Sequence, residues 1–206
     1  LASAARVRRL QTVIIALGVV IVGILGVLVA RHIRSERLLR TMAMTDELTR
    51  LPNRRHLLSV AHDRLADARR THQPISILAL DVDHFKRIND TFGHDVGDTV
   101  LRRVAQTCRA ALRHDDSIGR TGGEEFVVVL PHADAERAME IAERLRAAVE
   151  GLDWADVDPA LHVTVSVGVA ERAQGDDDFA ALSRRADDSL YRAKHLGRNR
   201  VDLAAV

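Results

Sequence analysis

Hydrophobic and polar positions follow two regimes along this 206-residue chain. From Val13 to Ala30 the run VIIALGVVIVGILGVLVA holds 18 residues without a charge. As a helix rising ~1.5 Å per residue it covers ~27 Å, close to the ~30 Å hydrocarbon layer of a bilayer, so the run predicts a transmembrane helix that Leu10 and Thr12 can extend. A buried core helix is seldom so uniformly apolar. A signal peptide needs a small-residue cleavage site, whereas Ala30 leads straight into arginines. Arg6, Arg8 and Arg9 precede the run and Arg31, Arg34, Arg37 and Arg40 follow it, an excess that places the C-terminal side in the cytoplasm. The expectation is a single-pass anchor in the inner (cytoplasmic) membrane with the remainder of the chain cytoplasmic.

Beyond the run the pattern becomes periodic. Residues 31–44 lack Gly and Pro and predict a helical linker, with Ile33, Leu38, Leu39 and Met42 as a patchy stripe that suits either a short two-chain seam or a solvated spacer near anionic lipid. Thr45 and Asp46 are capping residues, and Pro52-Asn53 introduces a helix from about Arg54 to Arg70. Ile75 to Asp83 is continuously apolar and ends in acid, the mark of a central strand whose Asp81 and Asp83 share a side if the strand persists. Asp98 to Leu112 is an amphipathic helix with Val100, Leu101, Val104, Ala105, Cys108 and Leu112 inward. SIGRT and EFVVVL flank Gly122-Gly123 as a β-hairpin with a tight two-residue primed turn. A helix from about Asp134 to Val149 follows. HVTVSVGVA then alternates, with Val163, Val165, Val167 and Val169 on one face of a half-buried strand, and a helix over Asp178 to His195 leads to a short last strand. This order predicts an α+β domain around a mixed, largely antiparallel sheet. The resulting divisions are 1–12 flank, 13–30 membrane helix, 31–44 linker and 45–206 folded domain.

Composition narrows the function. Lys+Arg number 30 against 29 Asp+Glu, a net charge of +1 that lacks the basic excess of a nucleic-acid binder. Cys108 is the only cysteine, which excludes an internal disulfide framework and a cysteine zinc cluster. Only two of the basic residues are lysines, Lys86 and Lys194. A compact ammonium kept against an arginine background suits a phosphate ligand. Asp81 at a strand end and Glu124-Glu125 past the Gly-Gly turn supply hard oxygen for metal-assisted phosphoryl chemistry, and they converge if the hairpin pairs beside the central strand. On residue type alone, an exposed hairpin tip is the favoured reading of the two glutamates.

The blocks DELTRLPNRR, DVDHFKRINDTFGHDVGDTVL, RTGGEEFVVVL, VSVGVA and DSLYRAKHLGRNRV, in that order from Asp46 to Val201, resemble the GGDEF family of diguanylate cyclases in its GGEEF form. The resemblance implies a palm-like fold, similar to nucleotidyl cyclases and related to ferredoxin-like topologies, in which two GTP become cyclic di-GMP and two pyrophosphates. It implies Mg²⁺ or Mn²⁺ held by Asp81, the Val82 carbonyl, Glu124 and Glu125, with Glu124 also activating the 3′-hydroxyl. It assigns guanine to Asn89 and Asp98, with His94 beside them, and phosphates to Phe85, Lys86, Lys194 and Arg198. Both lysines fall on phosphate positions. Arg113 and Asp116 match an inhibitory R-x-x-D site for the product, with Arg144 as a second arm. The symmetry of the product calls for a homodimer. Arg50 and Thr121 depart from the family pattern, and Arg50 carries a cost of about 1 kcal/mol if its position requires φ > 0. Two rivals remain open. One is a catalytically silent GGDEF domain that binds nucleotide or a partner, and the other is a different nucleotidyl cyclase on the same palm.

Overall fold

A computed structural model describes residues 22–23, 25–26, 28–29, 31, 44–173 and 178–205, and the chain divides into two units, Leu1–Ala43 and Met44–Val206. The described residues of the first unit are helical, with Val22, Leu25, Leu28 and Val29 exposed. Most of the expected membrane run and linker lies outside the described residues, among which no helix is long and apolar enough to cross a membrane.

In the second unit, helix α1 spans Arg54–Thr71, strand β1 Ile75–Val82, helix α2 Phe85–Phe92 and helix α3 His94–Ala111. Strands β2 (Ser117–Arg120) and β3 (Glu125–Pro131) form the hairpin, followed by helix α4 (Ala135–Glu150), strand β4 (Val165–Glu171), helix α5 (Phe179–His195) and strand β5 (Val201–Leu203). The sheet runs β2-β3-β1-β4-β5, antiparallel throughout except for the parallel β4–β5 edge. The mixed α+β architecture and the central place of β1 match the sequence pattern.

Period-two burial divides the core between the sheet's faces. Leu78, Leu80, Val82, Phe126, Val128 and Val167 pack with α3 and α4 through Val100, Leu101, Val104, Ile141 and Leu145. Ile77, Ala79, Val127, Val129 and Ala170 pack with α1 and α5 through Leu57, Leu65, Leu182 and Leu190. Each fully buried Leu, Ile or Val contributes roughly 1.5–3 kcal/mol relative to exposure. Cys108 is a fully buried filler, and its apolar surroundings push the thiol up to about 12. Side-chain caps start three helices: Asn53 accepts from His56 N–H at 3.1 Å, Asp134 from Arg137 N–H at 2.9 Å and Asp178 from Ala181 N–H at 2.7 Å.

Two sequence expectations change and one element is added. Strand β4 is buried on both faces rather than half-buried, because α5 covers the side carrying Ser166, Gly168 and Ala170. The β2–β3 connection is four residues, Thr121 to Glu124, and neither Gly122 nor Gly123 has positive φ, so it is no primed two-residue turn. Its closing bond runs from Thr121 N–H to the Glu125 carbonyl at 2.9 Å. Finally, FKRINDTF forms a separate helix, held by Phe85 and Ile88 packing beneath it.

Candidate active site

The C-terminal end of β1 gathers the chemistry. Asp81 stands opposite Glu125 in the β1–β3 register, so the two side chains share the α1/α5 side of the sheet, and Glu124 lies one residue before, its carbonyl accepting from Val82 N–H at 3.3 Å. A Cβ on Gly122 would meet the Glu125 carboxylate, the flexible end of an exposed side chain that can move aside. Asp81 is almost fully buried, and the Lys194 ammonium at the end of α5 donates to its Oδ2 at 2.8 Å. Burial pushes the Asp81 carboxyl up. Lys194 pulls it back, and the nearby Glu124 and Glu125 charges add to the rise, leaving it above its ordinary value.

These donors suit a hard divalent cation in kind, and the lysine drawn onto Asp81 marks a place where positive charge is wanted. Among the described residues no three His, Cys, Asp or Glu side chains gather into a cage. The expected carboxylate cluster is therefore a facing pair plus a neighbour, with Lys194 as the present counter-charge. Lys194, expected among the phosphate residues, here pairs with the Asp81 carboxylate.

Just beyond β1, the turn residue His84 has φ 56° and no side chain caps α2, so the first N–H groups of α2, at Phe85 and Lys86, point outward unpaired within the helix. Phe85 is buried and Lys86 exposed, an anchor followed by a free cation. Along α2, Asn89 lies against α3. A Cβ on Gly97 would run into its amide oxygen, and Asp98 follows immediately, half-exposed and 3.7 Å from Arg102. Absence of a side chain at position 97 thus lets Asn89 pack against α3 one residue ahead of Asp98. His94, the first residue of α3, is exposed. Arg198 follows α5 in a left-handed conformation (φ 61°), its N–H bonded to the Ala193 carbonyl at 3.0 Å.

The Arg113–Asp116 segment lies in the loop between α3 and β2. The buried Asp116 carboxylate accepts from Arg113 N–H at 2.9 Å, and Arg109 donates to the Asp116 carbonyl at 2.8 Å. From α4, Arg144 donates to the carbonyl of Ala111, the last residue of α3, at 2.9 Å.

Sequence reasoning missed several participants. Arg120 donates to the Asp46 carboxylate at 3.1 Å and to the Gly123 carbonyl at 2.6 Å, bolting the hairpin tip to the Thr45–Pro52 segment. Burial pushes the Asp46 carboxyl up, but hydrogen bonds from Thr49 and Arg120 outweigh it and hold the group below its ordinary 3.8. Both residues lie in family-like blocks, which was the available signal. A cavity of about 320 Å³ between α1, α5 and β3 adjoins the carboxylates and is lined by Arg54, Thr121, Glu125, Asp187, Tyr191 and Lys194. Burial there, with Glu125 and Asp188 nearby, raises the Asp187 carboxyl against the opposing pull of Arg54.

Comparison with known proteins agrees with this geometry. Residues 43–200 match the family described as diguanylate cyclase, GGDEF domain. The chain is 43% identical over 165 residues to the diguanylate cyclase DgcP of Pseudomonas aeruginosa, covering 80% of this chain and 24% of that protein. It is 44% identical over 162 residues to the response regulator PleD of Caulobacter vibrioides, covering 78% and 36%. The chain thus spans about a quarter to a third of the length of these relatives. Among solved structures, the GGDEF domain of DgcB from Caulobacter crescentus, in complex with c-di-GMP, superposes with a TM-score of 0.75 at 36% identity, covering 80% of this chain and 94% of that one. The active GGEEF domain of a diguanylate cyclase from Vibrio cholerae gives 0.71 at 38%, covering 75% and 97%. With the palm-like sheet and the facing acids already in place, the match over 43–200 means that this chain belongs to the GGDEF-domain family of diguanylate cyclases.

Proposed function

We propose that this chain condenses two GTP into cyclic di-GMP with release of two pyrophosphates. The observation that carries the reading is the Asp81–Glu125 pair across the β1–β3 ladder, set at the foot of the uncapped α2 N-terminus. The triphosphate lies along the first N–H groups of α2, with Lys86, Lys194 and Arg198 meeting its charge. Asn89 and Asp98 address the guanine edge, the carboxylate accepting from N1 and N2 and the amide meeting O6 or N3, and His94 stands at the rim of the same pocket. Asp81, the Val82 carbonyl, Glu124 and Glu125 would hold Mg²⁺ or Mn²⁺, which lowers the pKa of the attacking hydroxyl and neutralises charge at the α-phosphate. Glu124 takes the proton from the 3′-hydroxyl. The new 3′-O–P bond forms as the α–β anhydride breaks, the electron pair leaving on pyrophosphate, and the same exchange in the opposite direction closes the ring.

Two equivalent half-reactions call for two copies of the domain face to face, so the working enzyme is a homodimer. The 13–30 run anchors each copy in the inner membrane and the 31–44 linker raises the local concentration of its partner. Cyclic di-GMP binds back at Arg113, Asp116 and Arg144 and holds the catalytic faces apart. In support, Arg113 and Asp116 share the loop after α3 and Arg144 bonds to Ala111 just ahead of it, although these hydrogen bonds are at present internal. The reading is tested by incubating the protein with GTP and Mg²⁺ and separating products by chromatography. A cyclic dinucleotide with two equivalents of pyrophosphate is expected, and GTP returned unchanged overturns it.

A further inference from the structure

Asp83 lies two residues past Asp81 and is equally buried, at 4% exposure, but it is bound very differently. Its Oδ1 accepts from the Ser166 hydroxyl at 2.7 Å, and its Oδ2 accepts from the Thr164 hydroxyl at 2.7 Å and from Asn199 N–H at 3.0 Å. All three donors are neutral. A buried carboxylate held this way organises whatever it grips, because each donor satisfies it only at one geometry.

What it grips is an unusual turn. Gly197, Arg198 and Asn199 have φ of 118°, 61° and 44°, three successive left-handed residues of which two carry side chains. Such conformations cost on the order of 1 kcal/mol each for non-glycine residues, so surrounding bonds must enforce them. Asp83 enforces the turn at the backbone. The Asn199 side chain is braced from α4, accepting from Arg146 at 2.7 Å and donating to Glu150 at 2.6 Å. Arg198 sits between the anchored N–H of Asn199 and its own bond to the Ala193 carbonyl.

We infer that Asp83 is a positioning residue for the triphosphate: by capturing Asn199 N–H it locks the left-handed turn that carries Arg198, four residues after Lys194. The inference rests on the proposed GTP reading and deepens it, assigning to the second acid of the DVD sequence a task separate from that of the first. Without the acceptor the turn relaxes toward right-handed angles and Arg198 spreads over many orientations, while the Asp81–Glu125 pair on the strands stays in place.

The test is a double-mutant cycle on the full chain, with GTP affinity read by calorimetry and turnover read separately. Asp83→Ala and Arg198→Ala should each weaken GTP binding by about tenfold, the worth of one charge-assisted phosphate contact. Asp83→Ala added to Arg198→Ala should weaken it no further, because the two act through one contact. Asp83→Asn, whose amide oxygen still accepts from Asn199 N–H, should restore most of the affinity. Should Asp83→Ala fail to fold, Asp83→Ser, too short to reach Asn199, replaces it in the same cycle. Effects that multiply in the double variant, or Asp83→Asn as weak as Asp83→Ala, overturn the inference and leave the GTP reading standing. A parent that binds GTP but forms no cyclic dinucleotide overturns the GTP reading alone, with the cycle still decided by affinity. A parent that binds no GTP overturns both.

Discussion

The two ends of the β2–β3 hairpin hold acids and bases in opposite states. At the hairpin tip, Asp81 is buried with a carboxyl raised above its ordinary value, facing Glu125 with Lys194 as its counter-charge, and α2 begins without a side-chain cap. At the foot of β2, a strand of four residues or ~13 Å away, Asp116 is equally buried but already satisfied by Arg113 N–H, and Arg144 is engaged on the Ala111 carbonyl. Unmet capacity is costly inside a protein, and a fold tolerates it where a ligand completes it. The first region is built to receive charge. The second must exchange internal bonds for ligand bonds, so binding there is weaker and easier to tune.

The largest effect should come from the unmet end. Asp81→Ala or Glu124→Ala should reduce cyclic di-GMP formation by on the order of 10²-fold or more with the fold intact by circular dichroism, since the main stabilisation of developing charge is lost. Near-normal turnover in either variant breaks the contrast at its root. Next is assembly. Specific activity of the Met44–Val206 unit should climb steeply with enzyme from nanomolar to micromolar, while the full chain in membranes stays flat; equal behaviour removes the linker's part. The satisfied end should respond only through regulation: progress curves of the parent should slow as product accumulates and those of Arg113→Ala should continue straight, with initial rates alike. Equal slowing returns Arg113 and Asp116 to a purely local role.

Smaller effects sharpen the picture around the tip. Arg50 has φ 60°, the condition under which its side chain is strained, so Arg50→Gly should stabilise by ~1 kcal/mol, read as a melting temperature ~2–4 °C higher. The Asp46 carboxyl is depressed in the folded state, so its contribution is present above the unfolded value of 3.8 and is lost as pH falls through the lower folded value. Acid titration of Asp46→Asn should therefore lack that part of the parent's loss below about pH 4; coincident acid limbs would assign the Arg120 bolt no electrostatic share.

Periodic burial made most of the fold legible in advance. Val100, Leu101, Val104 and Cys108 gave α3, and the unbroken apolar run before Asp81 gave the central strand. What escaped depends on contacts distant in sequence. The FKRINDTF segment contains Asn, Asp and Thr, poor helix interiors, and becomes α2 only because Phe85 and Ile88 find the core. The Gly-Gly pair looked like a primed turn, yet neither glycine has positive φ and the connection is four residues long. At the site, Asp81 and the glutamates were readable as hard donors at strand ends. The grip of Asp83 on Asn199 joins residues 116 positions apart, and no local pattern announces it.

The buried sulfur of α3 has a practical corollary. Cys108 is the only thiol in the chain, has no exposed surface, and stays protonated far above neutral pH. Maleimide or spin-label reagents should therefore pass over the native protein. A single cysteine introduced at an exposed position such as Tyr191 would carry the only signal, so distances between two copies can be measured without first removing a core residue.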